Sequence, residues 1–311
     1  MRRAALLLSL LALTACDGAD DEGAPAAAEP RPAAPGLFAY DTSAPLAFRN
    51  ERRINEDYPV AVYDVSYAAA GQRIAAYLLV PPKTGRPRPA AVYVHGAGGD
   101  RDQLLVQALW LAGRGAVTLA LTAPSAGAPA APAGTEPRAA LRRQRDLVAR
   151  DVVAVRRAVD LLQARDDVDR NRIGYLGWSA GARTGAILAG VEPRLRALVL
   201  MSGGATPVAA YAAQAPAELR DDVTRILGQA DPLRLIRKAK PGSLLLQDGT
   251  QDEVVPRPAL EALAAAAPKP DVRWYEADHA LGEAAYRDQL DWLTEKLGLA
   301  GREVAGARTG P

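Results

Sequence analysis

The hydrophobic pattern divides the chain into short apolar runs separated by amphipathic stretches. Residues 60–67 and 73–80 are rich in β-branched and aromatic side chains, are separated by Ala68-Ala69-Ala70-Gly71-Gln72, and end at Pro81-Pro82, which predicts an antiparallel strand pair. Six further runs, 89–94, 116–121, 172–176, 197–201, 243–247 and 272–275, are apolar throughout instead of alternating, as expected of strands covered on both faces of a parallel sheet. Between them lie helical segments. The longest, 138–164, carries Leu141, Val148, Val152, Val155, Val159 and Leu162 at spacings that keep one face apolar. Others are expected at 101–112, 180–189, 258–267 and 283–297. Alternation of this kind implies an α/β fold with a doubly wound, mostly parallel sheet and an antiparallel N-terminal strand pair.

Arg142, Arg143, Arg150, Arg156 and Arg157 fall mostly off the apolar stripe of the long helix, and are expected on a solvated face. Between the strands at 197–201 and 243–247 the connection exceeds the usual length, so 203–241 is a candidate partial lid. It is dominated by small residues such as Ala209, Ala210, Ala212 and Ala213, followed by charged ones such as Glu218, Arg220, Asp221 and Asp222.

The first residues change the picture. Arg2 and Arg3 precede a short apolar run ending in Leu13-Thr14-Ala15-Cys16, too short to span a bilayer but suited to a signal peptide over 1–15. Leu13 to Cys16 resembles the bacterial lipobox, which implies diacylation of Cys16, the chain's only cysteine. Residues 16–36, rich in Ala, Pro and acid, would then be a lipid-anchored disordered tether, with the folded domain over 37–311. The expected location is the bacterial cell envelope on its periplasmic or extracytoplasmic face, with the membrane reached through the anchor alone. Loss of the leader removes two of 38 basic residues and leaves 36 against 36 acidic ones, a balance that argues against nucleic acid as a partner.

The candidate chemistry centres on Gly177-Trp178-Ser179-Ala180-Gly181, a Gly-x-Ser-x-Gly placed directly after an apolar run and before a helix. A serine on so sharp a turn is exposed as a nucleophile, and Gly177 and Gly181 keep Cβ atoms out of the crowded strand-to-helix junction. The helix N-terminus would face developing negative charge, making the Ala180 N–H one oxyanion donor. The glycine-rich turn His95-Gly96-Ala97-Gly98-Gly99 would supply the second, from Ala97 or, failing that, Gly98. The chain has two histidines. His95 is expected to brace its loop, which leaves His279, after the last strand, as general base. The orienting acid must lie between serine and base at a strand end, and Asp252 meets this; Asp248 is nearer the strand and expected to brace the turn. Asp278 adjoins His279 but would point away from it. The alternative acid position, after the strand at 197–201, holds Ser202-Gly203-Gly204 and no carboxylate.

With these pieces the chain resembles the α/β-hydrolase family, more closely its dienelactone-hydrolase-like and prolyl-oligopeptidase-like branches, over 60–297. The resemblance implies a serine hydrolase cleaving carboxylic esters, with small acyl groups favoured, through an acyl-enzyme on Ser179, His279 and Asp252. It requires neither metal nor organic cofactor, and the partner is a small-molecule acyl ester. Dienelactone hydrolases carry a cysteine nucleophile where this chain has Ser179, and the segment before residue 60 is too short for the propeller of prolyl oligopeptidases. Acyl transfer or peptide cleavage on the same triad, and ligand binding by a non-catalytic surface lipoprotein, are the alternatives.

Overall fold

The structure is a computed structural model and describes residues 36–55, 59–83 and 85–299. The expected signal peptide, Cys16 and nearly all of the tether lie outside the described residues, as do residues 300–311. Among the described residues, nine strands form one sheet in the order β1-β2-β3-β5-β4-β6-β7-β8-β9. They are β1 (Arg49–Arg53), β2 (Ala61–Ala69), β3 (Gln72–Val80), β4 (Arg88–Val94), β5 (Val117–Leu121), β6 (Val168–Trp178), β7 (Leu195–Met201), β8 (Leu244–Gly249) and β9 (Asp271–Tyr275). β1 to β3 run antiparallel to their neighbours, β3 also pairs antiparallel with β5, and the remaining pairings are parallel.

The helices are α1 (Leu105–Gly113), α2 (Pro137–Gln163), α3 (Ala180–Val191), α4 (Val208–Gln214), α5 (Arg220–Leu227), α6 (Pro232–Ile236), α7 (Arg257–Ala266) and α8 (Glu283–Lys296). α2 starts where it does because Pro137 suits the first helical position and Glu136 accepts the N–H groups of Arg138 and Ala139. Side chains of α2, α3, α6 and α7 bury one face of the sheet, with Val152, Val155, Val159, Ile187, Ile236 and Leu263 at its centre. α1 and α8 bury the other through Leu111, Trp292 and Leu293. Such a three-layer arrangement directs loops to the carboxyl edge of the parallel strands. β4 has β5 on one side and β6 on the other, so the strand order reverses there, and the loop after β4 lies at the switch point where crevices form. No helix among the described residues is long and apolar enough to cross a membrane.

Four expectations need correction. β1 is an additional strand, Arg-Asn-Glu-Arg-Arg, exposed at all five positions and held by backbone pairing with β2. β9 is only half-buried because it is the sheet's edge, with Val272 exposed. The helix expected from residue 101 begins at Leu105, after a turn. Finally, Arg156 and Arg157 are not solvated. Arg157 is buried, bonding Asp160 and the Ala44 carbonyl, while Arg156 bonds Glu192 and the Phe38 carbonyl. They fasten the segment before β1 to α2. The long connection 203–241 is itself helical, comprising α4, α5, α6 and two single 3-10 turns. Its apolar residues Ala212, Ala215, Leu219 and Val223 pack with Leu141 of α2, and Arg138 pairs with Asp222 at 2.5 Å.

Candidate active site

Ser179 sits between the end of β6 and the first turn of α3, with φ 54° and ψ −109°. A left-handed serine is strained, and two close approaches hold it there. A Cβ on Gly177 would lie 2.5 Å from the Gly181 carbonyl carbon, and one on Gly181 would lie 2.2 Å from the Val94 oxygen. Both positions therefore exclude side chains, as the motif predicts. The Ser179 N–H donates to the Met201 carbonyl at 2.8 Å, which ties the turn to the end of β7.

The loop after β4 abuts the same turn. A Cβ on Gly96 would be 3.3 Å from the Ser179 Cβ, and the Gly181 N–H donates to the His95 carbonyl at 3.1 Å. The N–H of Gly96 is taken by Gln103 Oε1 and that of Gly99 by the Gly96 carbonyl. Among the described residues, the N–H groups of Ala97, Gly98 and Ala180 are taken by no other protein group. Ala97 and Gly98 are exposed, and Gly98 has φ 74°. His95 is buried, and both ring nitrogens are engaged: Nε2 accepts the Ala123 N–H at 2.9 Å, so Nδ1 carries the proton toward the Gly96 carbonyl at 2.6 Å. Burial holds its pKa below the usual histidine value, in keeping with this neutral tautomer. His95 is thus the loop's brace.

His279 and Asp252 come together from the loops after β9 and β8. Their Nδ1 and Oδ2 are 2.8 Å apart, with side chains 14% and 1% exposed. Asp252 Oδ1 accepts the N–H groups of Val254 and Val255, so this residue both shapes its own turn and faces the imidazole. The brace expected of Asp248 therefore comes from Asp252. Asp248 is instead a buried carboxyl on β8, its pKa pushed up to about 7 by desolvation and then by the Asp252 charge. Asp278 is exposed and caps the local turn by accepting the Ala280 N–H. The Trp178 ring lies 5.3 Å from the imidazole, which sets His279 beside the elbow, the sharp turn at Ser179 between β6 and α3.

Sequence reasoning missed two contacts here. The His279 carbonyl accepts Trp178 Nε1–H at 2.9 Å and Ser202 Oγ–H at 2.8 Å. Ser202 occupies the strand end read only as lacking an acid, and no sequence pattern marks a bond of this length in the chain. Asp151 of α2 is a further buried carboxyl, raised to about 6 by desolvation against the opposing pull of Ser125 and Arg183, and it accepts the Ser125 N–H in the loop after β5. A groove of about 600 Å³ lined by Tyr40, Asp41, Arg73, Arg150 and Arg157 shares no residue with this site.

The family model described as Acetyl xylan esterase (AXE1) matches residues 45–202, just over half of the 311-residue chain. A second, described as BAAT / Acyl-CoA thioester hydrolase C terminal, matches residues 155–252. No curated protein sequence is matched. Acetyl xylan esterase 1 from Thermoanaerobacterium sp. JW/SL YS485 is similar in structure, with a TM-score of 0.68 and 19% identity over 85% of this chain and 91% of that one. An acetyl xylan esterase from Paenibacillus sp. R4 has a TM-score of 0.65 and 21% identity over 84% and 91%. The 2,6-dihydroxy-pseudo-oxynicotine hydrolase has a TM-score of 0.56 and 20% identity over 77% and 68%. At these identities the structural likeness carries the α/β-hydrolase fold. Both family models span Ser179, and neither reaches His279.

Proposed function

The chain belongs to the acetyl xylan esterase family, and from that premise we propose that it is a serine esterase removing small acyl groups, acetyl foremost, with Ser179 as nucleophile, His279 as general base and Asp252 as orienting acid. Membership supports a carboxylesterase-type hydrolase acting on a small-molecule ester. The observation that carries the residue assignment is the 2.8 Å pairing of His279 Nδ1 with Asp252 Oδ2 beside a strained serine at a helix N-terminus. With Nδ1–H donated to Asp252, Nε2 keeps its lone pair and takes the proton from Ser179 as the oxygen attacks the acyl carbonyl. The free N–H groups of Ala180 and Ala97, with Gly98 as the alternative, receive the oxyanion. Each such donor is worth about 100- to 1,000-fold in rate. His279 then protonates the departing alcohol, and water repeats the cycle on the acyl-enzyme.

The preference for short acyl groups follows from where the apolar residues of 203–241 go. Ala212, Ala215, Leu219 and Val223 are spent on α2. Each CH₂ of a longer chain needs apolar surface to gain its roughly 0.8 kcal/mol of transfer energy, and this insertion, read as a partial lid, has little left to offer. Labelling by a fluorophosphonate probe, together with hydrolysis of 4-nitrophenyl acetate, tests the assignment. Both should be lost in Ser179→Ala, and persistence of either at the wild-type rate would overturn it. The match to the acyl-CoA thioester hydrolase model favours thioester cleavage as the second reading. Faster turnover of acetyl-CoA than of acetyl esters would select it. The same proposal includes export and anchoring: the leader and its Leu13-to-Cys16 motif support a diacylated Cys16 holding the enzyme on the envelope.

A further inference from the structure

We propose that Ser202 and Trp178 are positioning residues that set the distance between nucleophile and base by gripping the backbone of His279. The proposal rests on His279 being the base. The loop carrying His279 joins β9 to α8 and is tied on either side of the histidine, by the Gln251 N–H to the Ala277 carbonyl at 3.0 Å and by the Tyr286 hydroxyl to the Ala280 carbonyl at 2.8 Å, so the His279 peptide itself needs its own hold. Its imidazole is oriented by Asp252, but a ring can be correctly oriented and still stand too far from its serine. What sets that distance is where the peptide of His279 is held, and its carbonyl accepts two side-chain donors, Trp178 Nε1–H at 2.9 Å and Ser202 Oγ–H at 2.8 Å.

Both donors belong to the nucleophile's own frame. Trp178 immediately precedes Ser179. Ser202 immediately follows Met201, whose carbonyl accepts the Ser179 N–H at 2.8 Å. The Ser202 N–H in turn donates to the Gln247 carbonyl at 2.7 Å, on the strand that leads to Asp252. Ser202 therefore touches the frames of all three triad members.

Its backbone supports the same reading. Ser202 is fully buried, yet it adopts φ 49°. Six described residues other than glycine have positive φ, and three of them, Ser179, Ser202 and Leu281, are the nucleophile, this residue and a neighbour of the base. A left-handed position in a chain that continues Gly203-Gly204 would be most cheaply filled by glycine. A serine kept there at the expense of strain points to a use for its hydroxyl.

Ser202→Gly separates positioning from simple structural support, because it removes the hydroxyl and relieves the backbone strain together. The expected result is a Tm equal to or above that of the wild type, an unchanged KM for 4-nitrophenyl acetate, and a kcat lower by about tenfold. Trp178→Phe, which removes the second donor, should behave similarly in kcat. The double variant should lose about 100-fold, the scale of a misplacement near 1 Å. Wild-type kcat in folded Ser202→Gly and in the double variant would overturn the proposal. So would a kcat loss that tracks a falling Tm and a rising KM, the pattern of plain destabilisation. Ser179→Ala is measured alongside: undiminished hydrolysis in that variant would remove the triad itself and the proposal with it, whereas an inactive Ser179→Ala with a fully active Ser202→Gly would remove the proposal alone.

Discussion

Gly181→Ala probes whether the Ser179 turn and the loop after β4, the proposed source of an oxyanion donor, form one rigid unit. Gly181 lies in the first turn of α3, and an alanine in a helix ordinarily gains up to about 1 kcal/mol over glycine. Here the new Cβ would stand 2.2 Å from the Val94 oxygen, 2.8 Å from the His95 oxygen and 2.9 Å from the Val94 carbonyl carbon, all of them backbone atoms that cannot rotate aside. Reaching ordinary van der Waals separation requires a shift of about 1 Å between the end of β4 and α3. Overpacking of this kind costs about 1–3 kcal/mol, and stretching the Gly181 N–H bond to His95 costs about 1 more, so the net loss after the propensity gain is about 1–3 kcal/mol. For a domain of this size that lowers Tm by about 2–12 °C. The rate should fall further than the stability, because the same shift carries Ala97 and Gly98 away from Ser179, and about 1 Å at a reacting centre costs roughly 100-fold. Gly113→Ala is the control: it lies at the end of α1, where an added Cβ would meet nothing within 4 Å, and it should leave kcat/KM unchanged. Thermal melts and kcat/KM for 4-nitrophenyl acetate on both variants decide the matter. A folded Gly181→Ala enzyme with kcat/KM within threefold of wild type would refute the coupling.

Three further outcomes are expected. Asp248, at about 7 when folded, keeps its proton between about pH 4 and 7 while the unfolded carboxyl, near ~3.9, loses it, so its contribution to stability falls as pH rises through that window and is flat above it. Asp248→Asn should abolish that fall, worth about 4 kcal/mol, and raise Tm at pH 8 with little change at pH 4; parallel Tm-against-pH curves for variant and wild type would contradict this. Across 4-nitrophenyl esters of two to sixteen carbons, kcat/KM should peak between acetyl and butyryl, and a steady rise beyond eight carbons would sink the small-acyl assignment. The full-length protein made in a bacterial host should partition into detergent and Cys16→Ser should not; a mature protein carrying a free Cys16 thiol would end the anchoring proposal.

What could be read from the sequence was whatever is decided locally. The covered strands announced themselves as unbroken apolar runs because burial on both faces leaves no polar position to alternate, and α2 as a stripe because one face meets the sheet. β1 could not be seen this way, since none of its five side chains is buried and only pairing with β2 makes it a strand. Arg156 and Arg157 were misjudged for a related reason. Periodicity tells which side of α2 faces the sheet, but it does not reveal that residues 38–44 return alongside the helix and offer carbonyls to its flank. The strained turn at Ser179 was legible because its steric demands are written into the two flanking glycines, and His279 was singled out as the proposed base because the chain contains one other histidine. Asp252 differed from Asp248 only by its place on a turn, and the decisive contacts, two backbone N–H groups and one imidazole, exist only after β8 and β9 are paired. Ser202 lies furthest from local logic. Its partner is 77 positions away, and as sequence it looks like a missing acid. In the folded chain that same strand end is one peptide from Met201, whose carbonyl accepts the Ser179 N–H, so a hydroxyl there reaches the carbonyl of His279, the proposed base, where a carboxylate would be placed to reach its ring.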